Sequence, residues 1–504
     1  MVITLKYNDF YIGTDFADDP AMNYVISKFN TLPEVLRHTL LFGFSMIGVR
    51  LVGFLLIPIF THALTPSEYA RLDLLQSLAD IIGMIVIVGL ADTLFKFYGE
   101  ERAIQKKHAV AGRIYKLSVY LSLICVGLFQ LLAPTINALL PLEIDIWSVR
   151  FILVSVSISP MILVALSWLR MEGHVTKFVQ ETILRSILQG IISVSVLVGG
   201  FGVSGVMAAS MIASVITAYS LHRYLLKHQI WAHHLKYMSV YLQYGFPLIF
   251  VGIAGFFLRS FDRWMLADSI GAHDMALYAL AVKFALIAAF LTQPYQMWLL
   301  PKRFALLKDK ESKKKLGLYS IWGCAFTILT TACMSAGAPI LVYIMTPEVY
   351  HASIRYIPLL CFCSAVHMAT IYLNIGCYAQ KTTKWPLIID GISAVSVVAL
   401  YIHFIPLYGA FGAIGAGVVI LSLRLISTLI VSLAYERINY EVGKLLLLFG
   451  VYAGACAIQT IFSSSMSHQI LIGIVNILII SVLMVCLKFV PLTADYRRTY
   501  VSNL

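Results

Sequence analysis

Charge is what this chain lacks: only 12% of its 504 residues are Asp, Glu, Lys or Arg, about half the share of a soluble domain. With 60% of residues hydrophobic, no soluble fold has enough interior to hide them, and a bilayer must solvate them instead. Catalytic and cofactor signatures are missing too. There is no GxxxxGK[ST] run, no HExxH and no metal-spaced His/Cys set, so ATP hydrolysis and zinc chemistry lack residues to perform them. The glycines from Gly409 to Gly417 make no phosphate loop, since no strand precedes them and no Lys-Ser/Thr follows. The eight cysteines (Cys125, Cys324, Cys333, Cys361, Cys363, Cys377, Cys456, Cys486) form no CxxC pair and all fall in apolar stretches, as small packing residues do. Residues 1–36 are polar and mixed in charge, without the apolar core of a cleavable signal peptide, and read as a cytosolic extension.

What is there is a series of long apolar runs. Fourteen membrane-spanning helices are expected, the first from about Leu40 to Leu64 and the last from about Ile470 to Val490. The net charge of +12 marks cytoplasmic loops rather than nucleic-acid binding. In alternate loops, 28 of the 37 Lys and Arg fall on one side, and only Arg71, Arg150, Arg263 and Arg355 on the other. That split predicts an even number of spans with both termini cytoplasmic.

The chain also repeats itself. Ala133-Pro134 matches Ala338-Pro339, Gly190-Ile-Ile-Ser-Val-Ser-Val matches Gly391-Ile-Ser-Ala-Val-Ser-Val, and Gly202-x-x-Gly205 matches Gly409-x-x-Gly412, in order and at offsets of 201 to 207. Six spans is an even number, so the two copies insert in parallel. The expected architecture is all-α: an extension at 1–36, six-helix lobes at 37–236 and 237–437, and two further helices with a cytosolic terminus at 438–504.

Two stretches carry a family resemblance. Leu64-Thr-Pro-Ser-Glu-Tyr-Ala-Arg71, followed by Gly89-Leu-Ala-Asp92-Thr-Leu-Phe-Lys-Phe97, resembles the opening of the polysaccharide-export flippases, with Ala70 where that family usually has glycine. Tyr244-Gly-Phe-Pro247, Arg259-Ser-Phe-Asp-Arg-Trp-Met-Leu266 and Tyr278-Ala-Leu-Ala-Val-Lys283 resemble the start of its second lobe. The resemblance runs from about Leu36 to Leu487. It implies the MATE-like exporter fold and a substrate, an oligosaccharide repeat unit on undecaprenyl diphosphate, flipped across the inner membrane for O-antigen or other surface polysaccharide. A polysaccharide polymerase and a chain-length regulator are the protein partners such a role implies.

Five cations fall within spans: Arg50, Arg185, Arg259, Lys283 and Arg424. Each costs about 2.5–3.5 kcal/mol at mid-bilayer, so they must face water, a partner or an anionic substrate. The bland alternative is local pairing, of Arg185 with Glu181 and of Arg259 with Asp262. No acid lies one turn from Arg50, Lys283 or Arg424. The expectation is therefore a cationic cavity binding a diphosphate, which suits guanidinium forks. Asp80, Asp390 and His367 are the candidates for carrying a coupling ion. Competing functions are a drug exporter of the same fold, which would favour an acidic cavity, and a membrane-embedded polymerase or ligase, for which the non-cytoplasmic loops leave little room.

Overall fold

The computed structural model describes residues 34–231, 237–303, 305–307, 310–378, 384–462, 466–487 and 489. The expected extension at 1–36 and the terminal tail fall almost wholly outside these. In the first repeat, span one is α1 (Glu34–Ala63), and span two is α2 (Pro66–Ile87) with α3 (Leu90–Glu100). Span three is α4 (Ile104–Ala138), and span four is α5 (Ile146–Ser157) with α6 (Ser159–Met171). Spans five and six are α7 (Val175–Val198) and α8 (Gly202–Lys227).

In the second repeat, span seven is α9 (Met238–Arg259) with α10 (Phe261–Ser269), and span eight is α11 (Gly271–Leu291) with α12 (Gln293–Lys302). Span nine is α13 (Lys310–Met345). Span ten runs through the 3-10 segment Glu348–Tyr356 into α14 (Ile357–Leu373) and the short α15 (Ile375–Tyr378). Spans eleven to fourteen are α16 (Lys384–Tyr408), α17 (Ala410–Tyr435), α18 (Val442–Ile461) and α19 (Met466–Cys486).

Among the described residues, thirteen helices are long and apolar enough to cross a membrane, and the apolar stretch Gly48–Ala63 of the 30-residue α1 occupies the place of the first expected span. Only helices satisfy their backbone from within when lipid replaces water. Their outward faces carry bare apolar side chains such as Leu131, Val198, Ile344 and Val395. All eight cysteines are free.

The duplication survives in the backbone. Ala133 and Ala338 are each fully buried one residue before a helix-interior proline. Gly202, the first residue of α8, and Gly409, the residue just before α17, stand at the start of the sixth helix of each repeat with positive φ, +53° and +57°. Span two breaks at Val88 and Gly89, and span eight breaks at the corresponding Thr292.

The buried apolar residues form three cores. One is shared by both repeats and runs from Leu64, Tyr69 and Val149 to Leu266, Tyr350 and Ala410. The second belongs to the first repeat and the entry of span seven, around Leu94, Tyr115, Trp168 and Tyr241. The third joins the second repeat to α18 and α19, around Ile328, Tyr372, Tyr452 and Ile480. The last two spans are thus fastened to span nine. Ser335 and Gln459 bond side chain to side chain at 2.8 Å, Gln459 also donates to the Ser335 carbonyl at 3.0 Å, and Gly473 lies against Ala336.

Candidate functional site

The two repeats meet along α2. Thr65 and Glu68 form a reciprocal capping box, the Thr65 amide donating to Glu68 at 2.9 Å and the Glu68 amide to the Thr65 hydroxyl at 3.3 Å. The helix therefore starts at Pro66, and Tyr69, Asp73, Gln76, Ser77 and Asp80 fall at spacings that share one face. That face packs on α9, α10 and α11 of the second repeat.

At its centre Asp73, 4% exposed, takes two cations from the opposite repeat: Arg263 at 2.9 Å and Lys283 at 3.4 Å. Lys283 also donates to Gln76 at 3.2 Å and lies 5.3 Å from the centre of the Tyr69 ring. The chain break between α9 and α10 supplies further ties. The Ser77 hydroxyl donates to the Ser260 carbonyl at 3.3 Å and accepts from the Trp264 indole at 2.8 Å, and Ser260 donates to Asp80 at 3.5 Å. Asp262, buried beside Arg263, accepts from the Tyr278 hydroxyl and, at 2.9 Å, from the Arg263 amide.

The five expected cations divide into three kinds. Arg50 and Arg259 are exposed, and among the described residues neither pairs with a carboxylate. Arg50 stacks 4.1 Å over Phe290 of the other repeat, and Arg259 donates to its own Gly255 carbonyl at 3.1 Å. Lys283 and Arg424 are compensated, contrary to expectation: Lys283 by Asp73, and Arg424 by Asp390 at 2.7 Å. Arg424 also reaches His367 Nδ1 at 3.4 Å, so two of the three coupling candidates, Asp390 and His367, converge on one guanidinium inside the second repeat. The third, Asp80, sits on the α2 face.

Arg185 lies apart from these, in a serine network of the first repeat, donating to Ser214 at 3.0 Å while Ser155 and Ser214 share a bond of 2.8 Å. Its expected partner Glu181 is taken instead by Lys177 and Ser220, each at 2.5 Å. The expected pair of Arg259 with Asp262 does not form either, because Asp262 turns to Tyr278 and Arg263.

Two residues of the site are not among the candidates the sequence offers. Asp73 lies in the second turn of α2, whose start the Thr65-x-x-Glu68 capping box marks. Arg263 was counted as a loop cation, and it is instead a buried residue of α10. Around this interface stand four cations (Arg50, Arg259, Arg263, Lys283) and three carboxylates (Asp73, Asp80, Asp262). The surface left for an anion is cationic, but by a narrow margin.

Next to it, the resembling motifs of the two lobes touch each other. Val88 and Gly89, both left-handed with φ of 48° and 58°, press their backbone against Gly245 of the Tyr244-Gly-Phe-Pro247 run. Phe97 packs edge-on against Tyr241 and Tyr244, at 5.1 and 5.8 Å.

The profile of a family described as polysaccharide biosynthesis protein matches residues 35–302, just over half of the chain. No curated protein sequence matches it. Among solved structures, the lipid II flippase MurJ in an inward closed conformation is similar with a TM-score of 0.63 and 16% identity, over 90% of this chain and 100% of that one. VcmN, a MATE transporter of Vibrio cholerae, is similar with a TM-score of 0.60 and 16% identity, over 81% and 97%. A MOP superfamily transporter from Pyrococcus furiosus, whose binding pocket is described as reversed in polarity, gives 0.50 and 16%, over 79% and 94%. The chain is thus a multi-pass membrane protein with the fold of MurJ and the MATE transporters, and it belongs to the polysaccharide biosynthesis protein family.

Proposed function

We propose that this protein flips an undecaprenyl-diphosphate-linked oligosaccharide from the cytoplasmic to the periplasmic leaflet of the inner membrane, for O-antigen or another surface polysaccharide. Both termini are cytoplasmic in this reading, following the charge split of the loops. The observation that carries it is the pair of exposed guanidiniums, Arg50 and Arg259, without a carboxylate partner among the described residues, together with the Lys283 ammonium that crosses between the two repeats. A diphosphate needs several donors in a water-poor setting, and guanidinium offers two per contact. The lobes at 37–236 and 237–437 rock about this junction, and the lipid tail stays on the lipid side. The drive is an ion gradient or the membrane potential, with Asp80, Asp390 and His367 as the ion-carrying groups. No bond of the substrate is broken, and the protein acts as a transporter rather than an enzyme, handing product to a polymerase and chain-length regulator. A drug exporter on this fold is the weaker reading, since a cationic drug would meet a cationic surplus.

Proteoliposomes loaded with the lipid-linked oligosaccharide should expose it in the outer leaflet under an imposed pH, sodium or voltage gradient. Arg50→Ala should abolish that movement while the protein stays inserted, and Arg50→Lys should restore it in part, because lysine lacks the fork. Normal flipping by Arg50→Ala, Arg259→Ala and Lys283→Ala, each normally expressed, would refute the cationic mechanism.

A further inference from the structure

Resting on the diphosphate reading above, we infer that Asp73 is a built-in rival of the substrate: its carboxylate occupies Lys283 and ties the lobes together until an anion takes that ammonium away. The first ground is where the contacts of Lys283 go. Among the described residues its polar contacts, with Asp73, Gln76 and the Tyr69 ring, all belong to α2 of the opposite repeat. Lys283 is therefore a tie between lobes before it is anything else.

The second ground is the inequality of the two cations on Asp73. The Arg263 side chain is 9% exposed and the Lys283 side chain 24% exposed. Of the two, the ammonium is the one open to an incoming anion, and the guanidinium is buried. Asp73 keeps Arg263 when Lys283 leaves, so no carboxylate is stranded without a cation, which would cost several kcal/mol. The exchange is an anion for an anion at one cation, and a group carrying more charge than a single carboxylate wins it.

The third ground is what lies one turn away. Tyr69 packs edge-on against Tyr350 of the second repeat at 5.7 Å, and the Tyr350 hydroxyl donates to the Leu64 carbonyl at 3.2 Å. Nearby, Thr61 donates to the Met345 carbonyl at 3.4 Å. These contacts close the lobes at the end of the molecule where α2 begins. Freeing Lys283 loosens α2 beside this seal, so arrival of the headgroup is coupled to opening there. A neutral lipid cannot compete for Lys283 and leaves the seal closed.

The test uses the full-length protein in proteoliposomes, its native cysteines replaced by serine or alanine and one cysteine introduced by Leu64→Cys, read with a membrane-impermeant maleimide. Asp73→Asn, which keeps the shape and removes the charge, should raise labelling roughly fivefold or more, and Asp73→Glu should label like the parent. Inorganic pyrophosphate should raise labelling of the parent, while Lys283→Gln should start from an intermediate level and not respond. Labelling unchanged by Asp73→Asn overturns the tie. No response of the parent to pyrophosphate, or an equal response in Lys283→Gln, overturns the competition. If Asp73→Asn fails to insert, the intermediate level and lost response of Lys283→Gln decide alone. None of these readings uses the lipid-linked oligosaccharide, so failure of the flippase assignment would show separately, in the transport assay.

Discussion

A methyl group added at Gly245 tests whether the lobes part where their two motifs meet. The new carbon would overlap the Val88 carbonyl oxygen and touch the Thr93 hydroxyl at 3.4 Å. The obstacle is backbone held in a left-handed turn at Val88 and Gly89, so no side chain can swing aside. Overpacking of this kind costs about 1–3 kcal/mol, while alanine regains about 0.8–1.0 kcal/mol of helix propensity over glycine. The net for Gly245→Ala is then about 0–2 kcal/mol. Valine has a smaller propensity gain and two more carbons, so Gly245→Val should bear nearly the whole clash. This cost falls only on the arrangement in which α9 touches the span-two break. A protein that alternates escapes it by separating the lobes there, shifting populations by roughly 5- to 150-fold for 1–3 kcal/mol. The assay is maleimide labelling of a cysteine placed by Thr93→Cys, a fully buried position beside Gly245, together with thermal unfolding in detergent. Labelling should rise from Gly245 to Ala to Val while the melting temperature falls less than a static clash would require. A lowered melting temperature with unchanged labelling would refute the reasoning and make this contact permanent.

Two further outcomes follow from polar pairs between spans. Asp390→Leu leaves Arg424 without its carboxylate and should destabilise the detergent-solubilised protein by up to about 3–5 kcal/mol, less what solvent restores at this partly exposed pair. Asp390→Leu combined with Arg424→Leu should recover most of that loss, and a double variant no more stable than the single one would deny the pairing. Gln459→Leu removes the ties from α18 to Ser335 and should cost about 0.6–1.7 kcal/mol by the same unfolding assay, with no effect if the last two helices are held by packing alone.

The spans were legible because apolar runs separated by charged loops leave few ways to cross a bilayer. The duplication was legible because Pro134 and Pro339, or Gly202 and Gly409, perform the same backbone task twice. The pairing of charges was much less so. A sequence window sees neighbours three or four residues away, and on that basis Glu181 should have gone to Arg185. It had a second neighbour four residues the other way, Lys177, and the rotation of α7 gave it to that one. The partners of Lys283 and Arg424 lie on other spans, at sequence separations of 210 and 34, and depend on which faces of two helices meet. Asp73 was within reach of a local argument, through its capping box. Arg263 was not, because nothing near Ser260 announces that the helix breaks and resumes.

The placement of the three cores makes the two ends of the molecule mechanically unequal. Where the repeats share one continuous core, parting them would bare apolar side chains such as Leu64, Tyr69 and Tyr350 to water, at about 25 cal/mol for every Å² uncovered. At the other end the two cores are separate, the first repeat's being joined by only the entry of span seven around Tyr241, and the contacts bridging the repeats are narrow, among them the glycine backbone of Gly89 and Gly245 and the edges of Phe97 and Tyr244. The molecule is accordingly built like a clothes peg, with its firm end near Tyr350 and its lightly held end near Gly245, so parting the lobes uncovers far more apolar surface at the first than at the second.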